Sequence, residues 1–166
     1  KLLYQDVLGI SGISGSIGTV YFDMGDWYIR AFGIIDKKNG ENKESQDTGP
    51  QMLLFDGETH GVTWNKKGLL FHSEKPRHLT EEQTCSFICF TDVLGSKLIS
   101  VDGNPGYIDD LAVDEFTWKI QYLIFITYPH FGNRRIMLPP SSIVSLSPET
   151  KSIEVDLTTN TIFDIF

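Results

Sequence analysis

Cysteine is nearly absent from this chain: 166 residues hold two, Cys85 and Cys89. A C-x3-C pair is neither a redox C-x-x-C nor half of a four-ligand zinc set. On an extended segment the two would share a face yet stand more than about 10 Å apart, too far for a disulfide. They read as small apolar residues in a reducing compartment, which gives a cytoplasmic expectation.

Basic charge is scarce as well. Fourteen Lys and Arg stand against 22 Asp and Glu, for a net charge of −8. Residues 1–90 carry 9 basic and 12 acidic side chains, and residues 91–166 carry 5 and 10. Nucleic-acid binding rests on phosphate neutralisation by Lys and Arg, so a nucleic-acid partner is disfavoured in both halves, as is an acidic membrane surface. Long apolar runs are missing too. The longest, YLIFI at 122–126, has the length of a strand, against the roughly 18–20 residues that cross a bilayer, so no transmembrane segment is expected. No basic-then-apolar leader is present. The first residue is Lys1, which carries the expectation of a trimmed or processed N-terminus.

Catalytic signatures are also lacking. The sequence has no G-x-S-x-G elbow, no G-x-G-x-x-G and no P-loop,. The histidines, His60, His72, His78 and His130, include no H-x-x-x-H pair. Asp102, Asp109, Asp110, Asp114 and Glu115 form a local acidic cluster without calcium-loop spacing,. Neighbouring strand residues point to opposite faces, so Asp109 and Asp110 converge only if a bulge intervenes. These residues read as a solvated edge that discourages strand-to-strand pairing. No catalytic residue, cofactor site or metal ligand is expected, and the chain does not read as an enzyme.

What is present is strand. The composition, 40% hydrophobic and 12% aromatic, is that of a packed core rather than a disordered chain,. IEVDL at 153–157 alternates, with Ile153, Val155 and Leu157 on one face,. WKIQYLIFI at 118–126 puts Trp118, Ile120, Tyr122, Ile124 and Ile126 on one face, and the other face turns apolar at Leu123 and Phe125. WYIRAFGII at 27–35 places Trp27, Ile29, Ala31, Gly33 and Ile35 in the same way. SGSIG at 14–18 and DGNPG at 102–106 suit tight turns, and LPPSS at 138–142 stops a strand,. The segment 37–50 reads as a loop. Helix is expected only at HLTEEQ, 78–83, and at LTTNTIFDIF, where Thr158 or Thr159 could cap,.

The strand pattern occurs twice. DVLG stands at 6–9 and at 92–95, and SGSIG matches DGNPG. Asp23 and Asp114 are each followed four residues later by a tryptophan, MLL at 52–54 matches IML at 136–138, and GLLF at 68–71 matches SIEV at 152–155. Landmarks in one order imply two related all-β units. The two tryptophans read as structural residues closing the end of each unit, and the two aspartates as turn caps. The expected organisation is a first unit at 1–77, a linker at 78–86 and a second unit at 87–166, each a small meander β-barrel with little helix.

The second half resembles the PRC-barrel domain, on DVLGSKLISVDGNPGYIDDLAVDEFTWKIQYLIFI, then NRRIMLPPSSIV, then SIEVDLTTNTI. The first half resembles a degenerate copy. It lacks three residues between Gly18 and Phe22, has Phe55-Asp56 where the other has Pro139-Pro140, and lacks the Leu-Thr closure. The whole looks like the tandem PRC-barrel proteins of bacteria. The resemblance implies barrels and no shared catalytic residues. It also brings two alternatives, an RNA- or ribosome-associated maturation-factor-like protein and an electron-transfer accessory like the reaction-centre H subunit. The preferred reading is a non-catalytic module that binds a protein partner or itself. Its candidate surface is TYPHFGNRR at 127–135, where Tyr128, His130 and Phe131 stand beside Arg134 and Arg135, residue types that make interface hot spots. The plainer reading has this loop fold its aromatics back over the barrel mouth.

Overall fold

The computed structural model describes residues 6–9, 14–36, 51–54, 62–65, 68–71 and 86–165. The loop at 37–50, the HLTEEQ segment, Cys85, His60, His72 and His78 lie outside these residues, as do positions 78–85 of the expected linker. The chain divides into two compact units: Lys1–Cys89 with Glu115–Trp118, and Phe90–Asp114 with Lys119–Phe166.

Unit 1 holds β1 (Asp6–Gly9), β2 (Ser14–Phe22), β3 (Ile29–Asp36), β4 (Gln51–Leu54), β5 (Val62–Asn65), β6 (Gly68–Phe71) and β7 (Ile88–Cys89). Its sheet runs β4-β3-β2-β1-β6-β5, with β7 added to β2. Unit 2 holds β8 (Lys97–Ser100), β9 (Gly103–Val113), β10 (Ile120–Thr127), β11 (Arg135–Leu138), β12 (Ile143–Ser147) and β13 (Ser152–Val155). Its order is β11-β10-β9-β8-β13-β12, the same path. The described chain is therefore mostly β. Its α-helices are α1 (Phe90–Val93) and α2 (Thr159–Ile165), with 3₁₀ turns at Pro129–Phe131 and Pro140–Ser142.

The expected meander holds only for the first four strands of each unit. After them the chain crosses over, and β6 pairs parallel to β1 as β13 does to β8. A period-2 pattern reports which face of a strand is buried and not which neighbour it takes, so this crossover left no mark in the sequence. Among the described residues no ladder joins β4 to β5 or β11 to β12, so hydrogen bonds close neither sheet.

The strand registers correct the alignment of the two copies. Val7 faces Gly15 and Leu98 faces Gly106. Gly15 and Gly106, Phe22 and Val113, Trp27 and Trp118, and Ile29 and Ile120 are all 91 residues apart. The two DVLG tetrapeptides are 86 apart and are not equivalent. The first is strand β1. The second is helical: Asp92 and Val93 belong to α1, the Leu94 N–H donates to Phe90 O at 2.8 Å, and Gly95 turns the chain with φ +79°, the left-handed end of a helical turn. SGSIG lies inside β2 and not in a turn. Gly15, not Gly18, is the counterpart of Gly106, so the three-residue gap before Phe22 disappears. Met52 faces Gly33 and Met137 faces Ile124, which slides the MLL match by one residue. The GLLF and SIEV strands do correspond, since Leu69 pairs with Val7 as Ile153 pairs with Leu98.

Both copies carry the same two bulges. Gly18 and Asp109 are the extra residues of β2 and β9, and Arg30 and Gln121 those of β3 and β10. Each bulge reverses the facing of the residues beyond it. In β10, Ile120 is in the core, but after Gln121 the core residues become Leu123 and Phe125. Tyr122, expected beside Ile120, is 40% exposed, and Met137 of β11 is 51% exposed. In β3, Phe32 and Ile34 are inside and Ile35 is outside. The IEVDL strand keeps its expected face, with Ile153 and Val155 buried, and LPP ends β11 at Leu138.

The tryptophans close their turns from strained positions. Trp27 has φ +65° and Trp118 φ +60°. Trp27 stacks on Phe22 at 5.6 Å, and Trp118, buried in unit 1, meets Phe32 edge-on at 5.3 Å. The Trp27 N–H donates to Asp23 O, and Asp23 Oδ1 caps the Gly25 N–H at 2.7 Å, the turn-capping role expected of it.

Helix α2 is held by a turn far away in sequence. Thr158 Oγ1 accepts from the Thr161 N–H at 3.2 Å, the expected N-cap,. The Asp102 carboxylate accepts from the Thr159 N–H (2.7 Å), the Thr159 hydroxyl (2.8 Å) and the Ser100 hydroxyl (2.9 Å). These donors, the Thr159 backbone first, hold the Asp102 carboxyl below its ordinary 3.8. A depressed carboxyl stabilises the fold above its unfolded value and loses that contribution as pH falls through the folded one. Asp102→Asn should therefore be less stable than the parent at neutral pH, with the gap closing only below about pH 4. Urea unfolding of both proteins across the acid range measures it, and a gap that does not change with pH would contradict the assignment.

Candidate functional site

The neck of the 127–135 loop is a two-way bond between Thr127 and Arg134. The Thr127 N–H donates to Arg134 O at 2.9 Å, and the Arg134 N–H donates to Thr127 Oγ1 at 2.8 Å. Between them Pro129 starts a 3₁₀ turn, and Gly132 (φ +93°) and Asn133 (φ +52°) bring the chain back. Gly and Asn are the residues that accept such backbone most easily. Tyr128 is tied to β9, its N–H donating to Pro105 O at 2.9 Å and its hydroxyl accepting from Asn104 Nδ2 at 3.3 Å.

This backbone lines up five rings. Tyr107 contacts Tyr128 (5.9 Å between centroids), which stacks on His130 (5.9 Å, 15°). His130 leans on Phe131 (4.2 Å), and Phe131 meets Phe163 of α2 edge-on (5.4 Å). The Arg134 guanidinium stands over Phe163, 5.8 Å from the ring centre, within cation–π range. His130 and Arg134 are exposed, while Tyr128, Phe131 and Phe163 are half-buried.

Of the five residues expected here, the structure joins Tyr128, His130, Phe131 and Arg134. Arg135 faces elsewhere. Its guanidinium pairs with Asp109 at 2.9 Å and approaches Asp110 at 3.9 Å. The bulge at Asp109 brings these neighbouring carboxylates to one arginine, meeting the condition that the sequence left open. With Arg135 59% exposed, the pair contributes at most about 1 kcal/mol.

Tyr107 and Phe163 complete the ladder and lie outside the expected set. Phe163 carries a signal in the sequence, an aromatic on the expected C-terminal helix. Tyr107 carries none, because its outward facing depends on the strand register.

The described residues contain no cluster of three or more His, Cys, Asp or Glu able to hold a metal ion. The Cys89 Sγ lies 3.1 Å from Thr19 Oγ1. No helix among them is long and apolar enough to cross a membrane. No protein-family model matches the chain, and no curated protein matches it.

Proposed function

We propose that the chain is a non-catalytic tandem module of the PRC-barrel kind, which binds another protein or a second copy of itself through the ring ladder of unit 2. The barrel reading is supported by the repeated strand order and by paired bulges, which add twist and curl to a sheet. The short Pro139–Ser142 link between the end strands β11 and β12 also supports it. The observation that carries the binding reading is Arg134. Among the described residues no carboxylate pairs with it, in a chain of net charge −8, and it is held over Phe163 at the end of a partly exposed aromatic row. Arginine and aromatics fixed by packing lose little freedom on association, which is how hot spots concentrate binding energy. The acidic balance of both halves sets a protein partner above RNA.

Affinity capture from the native organism, with sedimentation of the purified chain, identifies the partner or the self-assembly. Phe131→Ala with Arg134→Ala should cost about 2 kcal/mol or more of that binding, roughly a 30-fold loss in affinity, with the circular dichroism of the fold unchanged. Binding that survives the double substitution overturns the proposal.

A further inference from the structure

We infer that the edge of β9 at residues 111–113, which carries no strand among the described residues, accepts an extended strand from another protein, in a place where unit 1 fills the same edge with its own chain. In unit 1, β2 takes β1 at one end, with Asp6 opposite Ser16, and β7 at the other, with Tyr21 opposite Cys89 and Phe22 opposite Ile88. Ala112 and Val113 are the counterparts of Tyr21 and Phe22, 91 residues on. In unit 2, β8 covers β9 as far as Tyr107, and Ile108 exchanges backbone bonds with Gly95 and Ser96. Beyond that point no strand pairs with β9 on the side away from β10 among the described residues. Ala112 and Val113 are half-buried, and the Leu111 N–H is met by a side chain, Asp110 Oδ1 at 3.0 Å. An edge of this kind is a template for strand addition.

One exchange between the copies sets the chemistry of the occupant. In unit 1 the strand residue opposite Tyr21 is Cys89, whose Sγ lies 3.1 Å from Thr19 Oγ1. The counterpart of Thr19 is Asp110, a buried carboxylate whose cation, Arg135, approaches no nearer than 3.9 Å. The fitting segment is antiparallel to β9. It places an apolar residue opposite Val113, as Ile88 stands opposite Phe22, and a cationic or hydroxyl residue opposite Ala112, within reach of Asp110. This edge is separate from the ring ladder and needs no role for Arg134 or Phe131.

The probe is a peptide of residues 86–90 carrying Cys89→Lys, titrated into the isotope-labelled full chain. Saturable amide shifts at Leu111, Ala112 and Val113 are expected, with slowed exchange there. They should vanish for the same peptide N-methylated at Ile88, which cannot complete the ladder. Asp110→Asn should weaken the lysine peptide and spare the unsubstituted one. Absence of saturable shifts up to the solubility limit, equal binding of the N-methylated peptide, or shifts confined to other surfaces would each overturn the inference. The first of these is the result expected if Asp110 serves only to keep the edge unpaired.

Discussion

Gly106→Ala should destabilise the chain by about 3 kcal/mol, the upper end of what overpacking a well-filled interior costs. A Cβ on Gly106 would press on the carbonyl oxygen of Ile126, and would stand 2.9 Å from the Ile126 carbonyl carbon and from Thr127 Cα. All three are backbone atoms of β10, the central partner of β9, so no side chain can turn aside to make room. Gly15 repeats the situation in unit 1, where a Cβ would lie 2.5 Å from Ile35 O, and Gly15→Ala should behave alike. The control is Gly95→Ala. Nothing lies within 4 Å of a Cβ there, and only the left-handed backbone, φ +79°, resists it, at about 1 kcal/mol. Denaturant unfolding of the three variants ranks them, and a Gly106 variant no weaker than the Gly95 one would refute the close approach of the strands.

That pair of glycines explains how much of the fold the sequence carried. The turn with an aspartate and then a tryptophan four residues later was legible, because local chemistry repeats at both sites. So were the IEVDL alternation, the Pro-Pro stop after Leu138 and the Thr158 cap, each decided within a few residues. The true repeat was not legible from DVLG. Four matching residues fix no conformation: in one place they pair with β2, and in the other they finish a helical turn closed by Gly95. The positions that must agree are those where two backbones nearly touch, and there a glycine faces Val7 in one copy and Leu98 in the other.

The candidate surface was legible in composition and not in facing. The segment from Tyr128 to Arg135 announced aromatics and arginines, but a bulge sorts them. Because Asp109 is extra in β9, it and Asp110 both lie within reach of Arg135, Asp109 at 2.9 Å and Asp110 at 3.9 Å. Arg134 instead meets Phe163, which the chain supplies from α2, an element fastened by Asp102 in a turn next to β8. Bulges, parallel crossovers and remote caps are all set by tertiary packing, for which a periodic pattern has no symbol.

Trp118 gives the second large effect, with an unusual order between two variants. Trp118→Ala should cost about 3–5 kcal/mol, the loss of a large buried aromatic. The ring is 3% exposed and packs edge-on against Phe32, and the residue's carbonyl accepts the Ile29 N–H at 2.9 Å within unit 1. Trp118→Gly removes the same ring. In an ordinary strand glycine is the worse replacement, since it frees the unfolded chain. At φ +60° the comparison reverses, because alanine keeps the Cβ clash of the left-handed region, worth about 1–2 kcal/mol, and glycine does not,. The glycine variant should therefore be the more stable of the two, by about 1 kcal/mol after its larger unfolded-state entropy is counted. Trp27, at φ +65° and only half-buried, should show the same order with a smaller total loss. Thermal and denaturant unfolding of the four variants decides the matter. If alanine proves the better residue at both positions, the tryptophans are held by relaxed backbone, and the strain assigned to these paired turns does not exist.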